Sequence, residues 1–264
     1  MKRTILFLSL ILALAAASLG GSQTFALGNA SSTKSGAENY CSRFGTLSQK
    51  YEQNVAGQIS KLQSRIQAQI QKVQTNRKDL DDKLAQNRQK WTQNRDNLYA
   101  RLNARAKTDA EKQAVATFKG AIETAVAARE NAVDAARNTY RQSADQLIDQ
   151  HRSAVEQVLN SFQAAIQAAI GQAQASCTAG TAPAQVRTAF QQALEAARQA
   201  RKAGVQEVDK IGPQMEALAQ TRNAAIQQAM TTYQNALHAA IAALHQAFNE
   251  QAATPAATTT PSAT

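Results

Sequence analysis

The sequence has little of what builds sheets and turns. Aromatic residues make up 5% of the 264-residue chain, and it holds only 11 Gly and 4 Pro. Sheets draw on β-branched and aromatic residues in short runs punctuated by turn formers, so this scarcity excludes a sandwich or barrel as the organising element. Catalytic furniture is equally thin. The chain has three His and two Cys, and no H-E-x-x-H, P-loop, G-x-S-x-G or G-x-G-x-x-G pattern. His238 and His245 lie two helical turns apart, roughly 10 Å along an axis, too far to share one metal directly. The carboxylates are dispersed along the chain without a paired cluster. The expectation is a chain that is not an enzyme, with no catalytic residues, metal or cofactor and no small-molecule substrate.

Long apolar runs are missing too, with one exception at the N-terminus. Lys2 and Arg3 form a basic start, Ile5 to Ala17 an apolar stretch, and Thr24-Phe25-Ala26 a small-residue cleavage site. The apolar stretch falls short of the ~18–20 residues that span a bilayer, so 1–26 reads as a secretory signal peptide, with 27–37 a flexible segment behind it. The expected location is extracytoplasmic: secreted, periplasmic or cell-surface. In such a compartment two thiols are expected to be oxidised, which makes Cys41 and Cys177 a candidate disulfide. Cys41 follows Glu38-Asn39-Tyr40 and lies far past the apolar stretch, so it is not in a lipidation setting.

What the chain does have is Ala, Gln and other strong helix formers. Two short breaks, at Lys107-Thr108-Asp109 and in the stretch ASCTAGTAP at 175–183, divide 38–251 into three segments of similar length. They predict helix 1 over about 38–107, helix 2 over about 109–177 and helix 3 over about 183–251. Thr108-Asp109-Ala110-Glu111 fits a capping box, as does Ser35-Gly36-Ala37-Glu38 before the first helix. Pro183 suits the first turn of the third. Gly212-Pro213 interrupts helix 3, and since the apolar pattern keeps phase across it, a kink or tight break without reversal is expected. The tail over 252–264, rich in Pro, Thr and Ala and without charge, reads as disordered.

The apolar residues repeat every eleven positions. In the second segment one track is Ile122, Val133, Ala144, Val155, Ile166 and Cys177. Another is Val115, Val126, Arg137, Ile148, Leu159 and Ile170, and a third Phe118, Arg129, Tyr140, His151, Phe162 and Ala173. The third segment carries Val186, Ala197, Val208, Ala219, Met230 and Ile241; Ala193, Gly204, Met215, Ile226, Leu237 and Phe248; and Ala189, Ala200, Ile211, Arg222, Tyr233 and Leu244. The first segment is noisier, with Tyr51, Leu62, Val73 and Leu84 on one track and Leu80, Trp91 and Leu102 on another. Eleven residues over three turns is about 3.67 per turn, a 3-4-4 stripe that runs nearly straight along a helix. The predicted fold is all-α: an elongated antiparallel helical hairpin extended to a three-helix, coiled-coil-like rod. With helices 1 and 2 antiparallel, Cys41 and Cys177 fall at the same end, where a disulfide clamps the hairpin.

Charge is unevenly spread. Over 40–107 there are 14 Lys and Arg against 5 Asp and Glu; over 108–177 the balance is 6 against 8. The excess is densest over 86–107, where Arg88, Lys90, Arg95, Arg101, Arg105 and Lys107 surround Trp91. A charged helix face is usually a solvated one, and the track through Leu80 and Leu102 puts Trp91 in the core. The other reading is an anionic-surface site, with basic groups meeting phosphates or head groups. The leading functional expectation is a non-catalytic structural or interaction protein that acts as a disulfide-clamped helical rod. Its helix faces would meet a protein partner or a second copy. The alternative is a protein that binds a polyanion or an anionic membrane through the basic first helix.

Overall fold

In the computed structural model the protein is all-α. The structure describes residues 40–208 and 211–253, with side chains to residue 249. The described residues form four helices, in order α1 Tyr40–Arg105, α2 Asp109–Thr178, α3 Pro183–Val208 and α4 Ile211–Ala253. The expected signal peptide over 1–26, the segment expected to be flexible over 27–37 and the expected capping box at Ser35 lie outside the described residues, as does the expected tail over 252–264 apart from 252–253, which still belong to α4.

The helix ends are built from local chemistry. At the first turn the Glu111 amide donates to Thr108 Oγ1 at 3.2 Å. The Glu111 carboxylate accepts from the Thr108 amide at 2.9 Å and from the Lys107 amide at 2.7 Å. These reciprocal bonds occupy amides that a helix N-terminus leaves without intrahelical partners, and they hold the Glu111 carboxyl below its ordinary range. At the second turn Gly180 adopts φ 75°, a conformation that a Cβ disfavours. It lets the Thr181 amide reach Ser176 O at 3.0 Å and the Gly180 amide reach Cys177 O at 3.2 Å. This is the glycine-terminated cap expected where a helix must stop and turn. Pro183 opens α3, where its missing N–H costs nothing. Gly212 and Pro213 fall in the first turn of α4, so the proline again sits where no intrahelical donor is required.

The described residues divide into two compact units, 40–75 with 144–217 and 76–143 with the part of α4 from 218. In the first, α1, α2 and α3 enclose one apolar cluster. Phe44, Ile59 and Leu62 come from α1, Leu159, Ile166 and Ile170 from α2, and Val186, Phe190 and Leu194 from α3. Phe44 meets Phe190 edge-on, with ring centroids 5.0 Å apart. Near it Cys41 is joined to Cys177, Cα to Cα 5.5 Å. Because Cys177 lies in the last turn of α2 and Cys41 in the first of α1, the bond fixes these helices antiparallel here. At Gly204 α3 approaches α2 closely: a Cβ there would lie 2.9 Å from Val158 Cγ2. In the second unit Tyr99, Val115, Phe118, Ile122, Val126, Ala240 and Leu244 form a separate cluster. Tyr99 packs edge-on against Phe118, while Arg88 and Asp81, earlier in α1, meet Asp134 and Arg141, later in α2, so the two helices are antiparallel there too.

Every residue of the three α2 tracks is buried or half-buried. Three other tracks depart from expectation, one of them only at its end, where Ile241 on α4 is exposed. In α3, Ala189 and Ala200 are exposed, and the inward positions are Phe190 and the half-buried Arg201, one residue later. In α1, Leu80 and Trp91 are not core: they are 53% and 64% exposed, while Leu102 is half-buried.

Candidate functional site

The exposure of Trp91 has a local cause. Over the middle of α1 the positions that face α2 are occupied by charge, and the apolar residues beside them are turned outward. Asp81 accepts two bonds from Arg141, at 2.8 and 2.7 Å, and a further one from Arg137 Nη2. Arg88 donates two to Asp134, at 2.9 and 2.8 Å, with Glu130 3.8 Å away. These bidentate pairs set the inward direction of the helix. The arginine bonds hold the carboxyls of Asp81 and Asp134 below the ordinary carboxylate range, and the Asp134 bond raises the Arg88 guanidinium further. At about 100° per residue, Leu80, Trp91 and Leu98 fall within roughly 20° of one another, and roughly 60–100° away from that inward line.

The basic residues expected to form a surface site are therefore not equivalent. Arg88 is half-buried and committed to Asp134. Arg95 is half-buried and donates to Thr92 Oγ1 at 2.9 Å. Lys90 and Arg101 are exposed on α1, Arg105 ends it, and Lys107 is exposed in the turn. The sequence placed Leu80 on one face with Trp91 but took that face as core, and it missed Lys83 and Leu98 as their neighbours. The signal was present in their spacing, since 80, 91 and 98 repeat at eleven and seven.

The third α2 track carries polar residues, and each meets a partner from α3 or α4 within its own unit. In the first unit Arg201 stacks over Phe162 at 5.0 Å, and His151 Nδ1 lies 3.1 Å from Val208 O. Burial lowers the Arg201 guanidinium. In the second unit Arg222 lies over Tyr140 and Arg129 over Tyr233, both at 4.5 Å. These contacts place arginines over aromatic rings at helix interfaces, where cation–π attraction helps to hold them, and Arg129 also meets the Glu130 carboxylate at 3.6 Å. His238 and His245 are exposed on α4. Among the described residues no three of His, Cys, Asp and Glu come together. A shallow groove of about 460 Å³ in the first unit is lined largely by Gln63, Ile66, Gln67, Gln71, Arg152 and Glu156. No described helix is long and apolar enough to cross a membrane.

The chain matches no protein-family model, no curated protein and no solved structure.

Proposed function

We propose that this is a non-catalytic scaffold or interaction protein acting outside the cytoplasm, secreted, periplasmic or held at the cell surface. Its work is geometric: long helices packed in a coiled-coil manner present binding faces to a protein partner or a second copy. The observation that carries this reading is the Cys41–Cys177 bond, which ties the first turn of α1 to the last turn of α2. Long helices rich in Ala bury little apolar surface per residue, and their ends fray. A covalent tie beside the Phe44–Phe190 contact suppresses that fraying, and such a bond persists only in an oxidising compartment. The N-terminal pattern of Lys2, Arg3 and the apolar stretch to Ala17 supports export to one.

The test is fractionation of cells that naturally make the protein, with N-terminal sequencing of the accumulated form. The reading predicts recovery outside the cytoplasm, with an N-terminus near residue 27. Recovery from the cytoplasm with Met1 retained overturns it.

A further inference from the structure

We infer that the outward face of α1 in the second unit docks on an anionic phospholipid surface, lying in the plane of the interface rather than crossing it. This goes beyond the scaffold reading and does not depend on it. Four large apolar side chains are exposed among the described residues, and three of them, Leu80, Trp91 and Leu98, lie on this one face. At 1.5 Å per residue they extend over roughly 27 Å of the helix. Beside them run Lys83, Lys90 and Arg101, all exposed and none in an ion pair among the described residues. At about 100° per residue all three lie on the same flank, and no carboxylate of α1 within the second unit falls closer than roughly 80° to the stripe on either side. Asp81 is turned inward to Arg137 and Arg141, and Asp82 is held by Lys78 at 2.7 Å.

An apolar line with tryptophan at its centre and cations along its edge is what an interfacial helix needs. The apolar side chains enter the head-group boundary while ammonium and guanidinium groups stay among phosphates. Tryptophan favours that boundary because its ring is apolar and its N–H is polar. A second copy is a poorer occupant. A symmetric contact brings each patch against itself and sets Lys83, Lys90 and Arg101 against their own kind. A soluble polyanion is poorer too, since it satisfies the cations and leaves Leu80 and Leu98 in water.

Trp91 is the chain's single tryptophan, so its emission reports this face alone. The purified, oxidised chain, in the form that cells accumulate, is titrated with phosphatidylcholine vesicles, with vesicles containing phosphatidylglycerol, and with soluble polyphosphate, at low and high salt. The inference predicts a blue shift with phosphatidylglycerol vesicles that weakens with salt. Each cation near an anionic surface strengthens partitioning about fivefold, so the Lys83→Gln/Lys90→Gln/Arg101→Gln variant should bind roughly a hundredfold more weakly. Leu80→Gln/Leu98→Gln should reduce the blue shift while preserving salt dependence. All five substituted residues are exposed, and unchanged circular dichroism of both variants confirms that the fold is kept. An equal blue shift with pure phosphatidylcholine overturns the anionic part. A response to polyphosphate without a vesicle blue shift assigns the face to soluble polyanions instead, and silence in every arm leaves it a solvated surface; either overturns the inference.

Discussion

The same substitution should stabilise at one glycine and fail to do so at another. Gly120 and Gly204 both lie within helices, and replacing a helical glycine by alanine gains about 1 kcal/mol from reduced backbone entropy in the unfolded chain. At Gly120 a Cβ meets nothing within 4 Å, so the gain is realised in full. At Gly204 the Cβ falls 2.9 Å from Val158 Cγ2 and 3.2 Å from its Cγ1. Valine in a helix is held in one dominant rotamer, so neither methyl can swing aside, and α2 and α3 must separate. Overpacking of that kind costs about 1–3 kcal/mol. Gly204→Ala should therefore be neutral to destabilising by about 2 kcal/mol, and the two sites should differ by about 1–3 kcal/mol. Urea denaturation followed by circular dichroism measures both. Adding Val158→Ala to Gly204→Ala removes the clashing methyls, so the double variant should lose less stability than the two single changes together. If Gly204→Ala stabilises as much as Gly120→Ala, the close approach of α3 to α2 is wrong.

Acid should act through the ion pairs on α1. Asp81 and Asp134 titrate below their ordinary value because Arg141 and Arg88 bond them, so their contribution is complete above the unfolded value of about 3.9 and is lost as pH falls through the lower folded value. Thermal melting should be level between pH 7 and about 5 and fall below about 4, with the fall reduced in Asp81→Asn; a decline already complete at pH 5 contradicts this. These carboxylates are partly exposed, so each pair contributes only about 1 kcal/mol or less. Removing the disulfide is a larger change. A bond that spans 136 residues is worth up to about 5 kcal/mol in the chain-entropy model. At about 2–4 °C per kcal/mol, Cys41→Ser/Cys177→Ser should melt below the oxidised protein by up to roughly 10–20 °C. The first unit should show the faster amide exchange, and an unchanged Tm refutes the clamp.

The helical class, the turn at Thr108 and the pairing of Cys41 with Cys177 were legible because each rests on local rules. Eleven-residue spacing defines an inward face, a Thr-x-x-Glu box starts a helix, and Gly180 stops one. What escaped is where charge outranks hydrophobicity. A track through Leu80, Trp91 and Leu102 assumes that apolar residues set the inward direction. Asp81 and Arg88 set it instead, because α2 offers Arg137, Arg141 and Asp134 at that level. The presence of Arg129 and Arg137 on core-side tracks was the available sign that this stretch is held by polar contacts. In α3 the miss is one residue wide: Ala189 and Ala200 carry too little side chain to define a face, and Phe190, with more area to bury, takes the position. The polar residues on the third α2 track follow the same logic. Arg129 and Tyr140 descend α2 opposite Tyr233 and Arg222, and an antiparallel pairing of those tracks brings each arginine over a tyrosine.

The proposed scaffold rests on one bond within each chain, closed in an oxidising compartment. Its most direct test is to trap thiols with an alkylating agent at the moment of lysis in cells that naturally make the protein, then map the peptides by mass without reduction. The account predicts one cross-linked peptide pair that joins Cys41 to Cys177 within the same chain, and no alkylated cysteine. Recovery of both cysteines alkylated, or of either joined to another chain, contradicts it.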